Sequence, residues 1–290
     1  MAIVKTPKSW SRSALTGASL AALSLGLTAC GEDAPEPEQT PRATAEAPVG
    51  ELGEGGEAGE GGEGGEAGGE FGIDPDLALT DPVVYRTAIE VIRAHYIAGL
   101  AALEMGERAA AAEMFAHPVS EIYVDLEPVI EERGGTLMMD ELNRAAVLHF
   151  QGGDEAQIRE AVAEVLAGLD ANLEVAPEPE TSEAAAHAGV LSRLLERAAL
   201  QYALAAEEGR LEPWLDGYGL SEAAVRYGAD ALPVIAAADD AAAEAIAQAL
   251  EASAAAYPGA APPETFEIEI ETLSERADAA AAAAARLQAG

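Results

Sequence analysis

Lysine occurs only twice in the 290 residues, at Lys5 and Lys8, and cysteine once, at Cys30. Lys and Arg together number 16 against 52 Asp and Glu, a formal charge of −36. Neutralising a phosphate backbone needs clustered cations, so this balance excludes a nucleic-acid partner. It equally excludes electrostatic docking on an anionic bilayer surface. A lone cysteine closes no intramolecular disulfide, and a chain without lysine beyond residue 8 has no Schiff-base chemistry to offer. Aromatic residues make up only 4%, while alanine is abundant. That composition suits a thin helical core rather than a β-sandwich. G-x-S-x-G, phosphate-loop, dinucleotide-glycine and H-E-x-x-H patterns are all missing, so most enzymatic equipment is absent too.

What is present begins at the N-terminus. Lys5, Lys8 and Arg12 precede an apolar run, Ala14 to Ala29, which closes on Leu27-Thr28-Ala29-Cys30. A cationic start, a short apolar stretch and a small residue before the cut form a secretory signal, too short to span a bilayer. The Leu-x-Ala-Cys ending resembles the lipobox of bacterial lipoproteins. That resemblance implies removal of residues 1–29, diacylglycerol on the Cys30 thiol and fatty acylation of its new amine. Several acyl chains anchor stably where one holds only marginally. Gly31, rather than Asp, after the cysteine points to the outer membrane, facing the periplasm.

Residues 31 to 73 carry twelve acids, one Arg and almost nothing apolar, mostly as Gly-Gly-Glu and Ala-Gly-Glu triplets. Such a segment cannot offset its ordering entropy, so residues 30–73 are expected to be a disordered tether. From Asp74 onward the apolar spacing is helical. Asp81-Pro82 caps a helix that runs to Gly106, and His117-Pro118 is expected to stop a short segment begun at Glu107. Pro118 then starts a helix reaching Gly134-Gly135, which Pro128 should kink. Helices at Met138 to Phe150 and Glu155 to Leu173 complete a first unit, 74–175, before the linker Val175 to Glu180.

The remainder, 181–290, reads as a second copy. Gly209 repeats Gly106, Ser221-Glu222 repeats Ser120-Glu121, and Pro233-Val234-Ile235 repeats Pro128-Val129-Ile130, at offsets of 103, 101 and 105. Here Asp216-Gly217-Tyr218-Gly219 stands in place of the His-Pro break. Further helices are expected at Ser182 to Glu208, Ala237 to Ala256 and Glu264 to Gln288. Phe266, Ile268 and Ile270 alternate with Glu267, Glu269 and Glu271, a strand-like pattern. With no partner strand in view and a strongly helix-forming tail, the segment is assigned to helix. The expected fold is therefore all-α, an internally duplicated bundle of four to five helices per half.

One constellation carries possible chemistry. His95 and His117 each lie eleven residues from Gly106, so an antiparallel helix pair sets them at one height. Glu121 follows His117 by four residues, and His149 returns to a similar level after Gly134-Gly135. Imidazoles and a carboxylate from facing helices are the donors of bundle metal sites, here for a transition-metal ion. Tyr96, Tyr123, Asp125 and Glu127 are further hard donors nearby, whereas His187 stands apart. A core histidine held by a hydrogen bond, and a cap before Pro118, are the alternative roles for His95 and His117.

The acylated, acidic, all-α character with a duplicated helical unit over residues 80 to 288 resembles the imelysin-like periplasmic group, whose motif the nearest stretch, Phe115-Ala116-His117-Pro118-Val119-Ser120-Glu121, does not meet. That group's Gly-x-His-x-x-Glu motif sets its two ligands one residue closer than His117 and Glu121. The resemblance implies paired four-helix bundles, a link to iron uptake, and His117 and Glu121 as metal ligands. Two non-enzymatic functions follow: a lipid-anchored periplasmic binding protein for metal, or a helical scaffold for an envelope protein. A metallohydrolase is the more distant option.

Overall fold

Aspartate–proline and serine caps set where helices begin. In the computed structural model, which describes residues 73–289, Asp74 accepts the Asp76 and Leu77 N–H groups and opens a short helix not expected from the sequence, α1 (Pro75–Thr80). The signal segment, Cys30 and the tether through residue 72 lie outside the described residues, as does the His149 side chain. Asp81 accepts from Val83 and Val84 and starts α2 (Pro82–Glu104). Ser182 caps α7 (Glu183–Glu208), and an Asp154/Gln157 capping box opens α6 (Glu155–Leu173). Gly106, Gly134, Gly152 and Gly209 take φ between 65° and 78°, the left-handed turn that ends four of the helical segments.

Between these lie α3 (Arg108–Pro118), a π-helical turn (Val119–Tyr123), α4 (Val124–Glu132), α5 (Met139–Phe150), α8 (Leu211–Ala238), α9 (Asp240–Ala256) and α10 (Ile270–Ala289). No strand occurs among the described residues, so the chain is all-α as expected. The helices pack in two neighbourhoods. In the first, α2, α3, α5 and α6 pack in a closed ring; in the second, α7, α8, α9 and α10 do the same. Helix α2 belongs to both neighbourhoods, since it also packs on α7 and α8. It is buried nearly all round, as a central helix must be, and one continuous core runs through both rings.

Three expected boundaries need correction. His117-Pro118 does not stop the helix. A wider π turn follows, with Val124 N–H bonding to the Val119 carbonyl, and it absorbs the proline within a continuous helical path. Asp216-Gly217-Tyr218-Gly219 is no break either, because α8 runs straight through it. Its glycines exist for close approach. A Cβ on Gly217 would sit 1.8 Å from the Tyr257 hydroxyl, and one on Gly219 would sit 2.2 Å from the Ala94 carbonyl oxygen.

The third correction concerns 264–269, which precedes α10 instead of forming its start. Residues 257–269 are an irregular strap, neither helix nor strand. Phe266, Ile268 and Ile270 are half-buried while Glu267, Glu269 and Glu271 are exposed. The alternation in the sequence was therefore real, but the partner of its apolar side is a helical surface. Tyr202 and Trp214 supply that surface, with ring centroids 5.0 and 5.8 Å from Phe266.

Candidate functional site

Helix α2 places His95 in the interior, 3% exposed. Its Nδ1 lies 2.8 Å from the Val91 carbonyl one turn earlier, so Nδ1 carries the proton and Nε2 points onward. Across the gap, α3 delivers His117 edge-on, with ring centroids 6.2 Å apart. Equal distance from Gly106 thus does bring the two rings together. The third member comes from α8: Asp216 Oδ1 stands 3.7 Å from His95 Nε2. Burial pushes the His95 pKa down to about 4; His117 and Arg197 act in the same direction, and the Val91 bond opposes them. At neutral pH the ring is uncharged, so its approach to Asp216 is not an ion pair.

The other expected donors fall differently. Glu121 sits half-buried on the π turn, and Asp125 is exposed on α4. Helix α5, which carries His149, packs against α3. Tyr96 is wholly buried, its hydroxyl directed to the Phe115 and Leu142 carbonyls at 3.4 and 3.3 Å, and burial raises its pKa. Tyr123 receives the Met138 N–H and has Glu127 beside it; burial pushes its pKa up to about 12. Both tyrosines tie helices together. Among the described residues, no three His, Cys, Asp or Glu side chains are grouped to hold a metal ion.

A larger polar assembly escaped the sequence reading. Glu90 of α2 is fully buried, its carboxylate 3.1 Å from Arg93 Nε and 2.9 Å from Arg226 Nη2 of α8. Arg93 extends the chain of charges to Asp170 of α6 at 2.7 Å. Burial raises the Glu90 pKa, against the pull of the two guanidiniums. One turn earlier, Arg86 reaches Glu183 of α7 at 2.7 Å. His187, expected to stand alone, joins there: its Nδ1 is 2.8 Å from the Tyr227 hydroxyl, and burial lowers its pKa. These ion pairs span the two rings. The available signal was a Glu and an Arg three apart inside a largely apolar helix, the spacing at which two side chains meet.

A cleft of about 410 Å³ opens where α2 and α7 begin and α10 ends, with Asp81, Glu180 and Arg193 among its walls. No described helix is long and apolar enough to cross a membrane. Set beside family models, curated proteins and solved structures, the chain matches none of them.

Proposed function

We propose that the protein is a lipid-anchored, non-enzymatic binding protein of the bacterial cell envelope. Cys30 is its acylated attachment point, and the helical body is its binding part. The observation that carries this reading is the use made of the interior charges. Glu90, Arg93, Asp170 and Arg226 hold the two helix rings to each other, and Arg86 with Glu183 does so again. Charge directed outward is overwhelmingly acidic, with exposed Glu113, Glu131, Glu132, Glu160 and Glu251 spread over several helices. Such a surface suits a basic envelope protein, with complementarity that speeds encounter and weakens with salt.

The anchor is tested by labelling cells with radioactive palmitate. Label should appear in the wild-type chain and be absent from Cys30→Ser, which should also leave the membrane fraction. Label retained by Cys30→Ser would overturn the anchoring.

A transition-metal ligand is the second reading, favoured by the 6.2 Å approach of His95 to His117 and by the Nδ1 bond that leaves the ring's lone pair on Nε2. The paired helix rings are what a likeness to the imelysin-like group implies. Equilibrium dialysis with zinc or ferrous ion should then give stoichiometric uptake that His117→Ala abolishes. Uptake indifferent to that substitution would remove this reading and leave the scaffold.

A further inference from the structure

The cleft of about 410 Å³ at the start of α2 and α7 has the size of a small-molecule site. Its floor is apolar: Pro82, Val83, Ala185 and Ala186 are all buried and bring no side-chain polar atom. Gly189 lets the two helices close behind that floor, since a Cβ there would press within 2.9 Å of a Val83 methyl. Charge is confined to the walls. Asp81 and Glu180 belong to the segments leading into α2 and α7, whereas Arg193 belongs to the body of α7.

Arg193 has no structural task of its own. Ala186 and Arg193 are seven residues apart, so they share one face of α7 with about 10 Å of helix between them. Helical side chains lean toward the start of their helix, which carries the guanidinium back over the apolar floor. Arg86, Arg93 and Arg226 each meet a carboxylate, and Arg133 meets three backbone carbonyls. Arg193 makes no hydrogen bond or ion pair with any described residue, although Glu196 and Arg197 of its own helix feel its charge. In a chain with 52 acids, this guanidinium shares a cleft with two carboxylates and pairs with neither.

We propose that the cleft binds a small zwitterion of amino-acid to dipeptide size. Its carboxylate lies on Arg193, its ammonium toward Asp81 and Glu180, and its side chain on the apolar floor. A guanidinium takes a carboxylate through two parallel N–H donors, which fixes direction as well as place. Asp81 uses Oδ1 to cap α2 through the Val83 and Val84 N–H groups, and Oδ2 is left to accept from the ligand. A plain anion would meet the two carboxylates and a plain cation the guanidinium, so a ligand carrying both signs is favoured over either. The site shares no residue with the Cys30 anchor or with the histidine pair, and its test is independent of both.

Titration calorimetry on the full chain with leucine and with alanyl-leucine tests the cleft, the two probes separating the two sizes. One of them should bind at one per chain. Its C-terminal amide should bind about tenfold more weakly, and Arg193→Gln should weaken the parent probe by a similar factor. Those two losses should not add, because each removes the same contact. N-acetylation should behave likewise against Glu180→Gln combined with Asp81→Asn, in which asparagine keeps the helix cap. Arg193 and Glu180 are exposed, so thermal unfolding of Arg193→Gln and Glu180→Gln without ligand should match wild type. Failure of both probes to bind would overturn the site. So would binding that Arg193→Gln leaves unchanged, or losses from the amide and Arg193→Gln that add.

Discussion

A methyl group placed on Gly219 would come within 2.2 Å of the Ala94 carbonyl oxygen and 3.1 Å of the Ala98 methyl. Helices α8 and α2 therefore cross almost backbone to backbone, and this contact fixes how the second ring sits on the central helix. Gly219→Ala should destabilise the protein by about 2 kcal/mol, because overpacking against an immovable backbone outweighs the helix-propensity gain of about 1 kcal/mol. Gly228→Ala is the comparison. Its Cβ would crowd the Leu250 methyl at 2.8 Å, which a rotamer change relieves, and would meet Leu191 at an ordinary 3.7 Å, so the result should be near neutral. Urea unfolding of the two variants separates these cases.

Gly219 also shows what a sequence conceals. Helix caps and left-handed glycines act locally, so Asp81, Ser182, Gly106 and Gly209 announced their boundaries, and α6 begins and ends where its pattern said. Gly217 and Gly219 looked the same as turn glycines, yet their purpose lies in Tyr257 and Ala94, distant in sequence. The same limit applied to the strap, whose period-two pattern showed one side buried but not by what. At the histidines, counting from Gly106 brought His95 to His117, whereas Asp216 arrives from a helix 121 residues later and was invisible to any local count.

Glu90 is held by one arginine from its own helix and one from α8, and the three members differ in burial. Glu90→Gln keeps the shape but leaves Arg93, itself 2% exposed, with its charge poorly matched. A loss of about 3 kcal/mol is expected, as when one partner of a buried pair is removed. Arg226 is 44% exposed, so Arg226→Ala should cost only about 1 kcal/mol through solvent screening. Equal losses from the two substitutions, measured by urea unfolding, would mean that Arg226 and not Arg93 is the principal counter-ion.

Burial of neutral His95 makes folding depend on pH. Its folded pKa of about 4 lies below the ordinary 6.5, so the unfolded chain binds the extra proton between those values. The stabilisation is complete above pH 6.5 and is lost as pH falls toward 4, by up to about 3 kcal/mol. His95→Gln should flatten the stability profile across that window relative to wild type, although both chains lose stability to carboxylate protonation lower down. Parallel profiles for the two chains would show that His95 is protonated in the folded state.

Asn172 offers the sharpest test of the first ring. Fully buried on α6, it accepts the Thr136 N–H at 2.8 Å through Oδ1 and donates to the Thr136 carbonyl at 2.9 Å through Nδ2. Its own carbonyl receives the Tyr85 hydroxyl of α2 at 3.0 Å. One amide thus secures the loop before α5, while its backbone secures α2. Asn172→Ala removes both bonds to Thr136 and should cost about 2–3 kcal/mol. Tyr85→Phe removes a single hydroxyl and should cost about 1 kcal/mol. Asn172→Asp keeps the acceptor, loses the donor and buries a charge, so it should be the worst of the three at neutral pH and recover in mild acid as the carboxyl gains its proton. That recovery, read as the thermal-unfolding difference from wild type at pH 7 and pH 5, distinguishes a buried donor–acceptor pair from a side chain that merely fills space, for which alanine would be the worst and the difference from wild type would not change with pH.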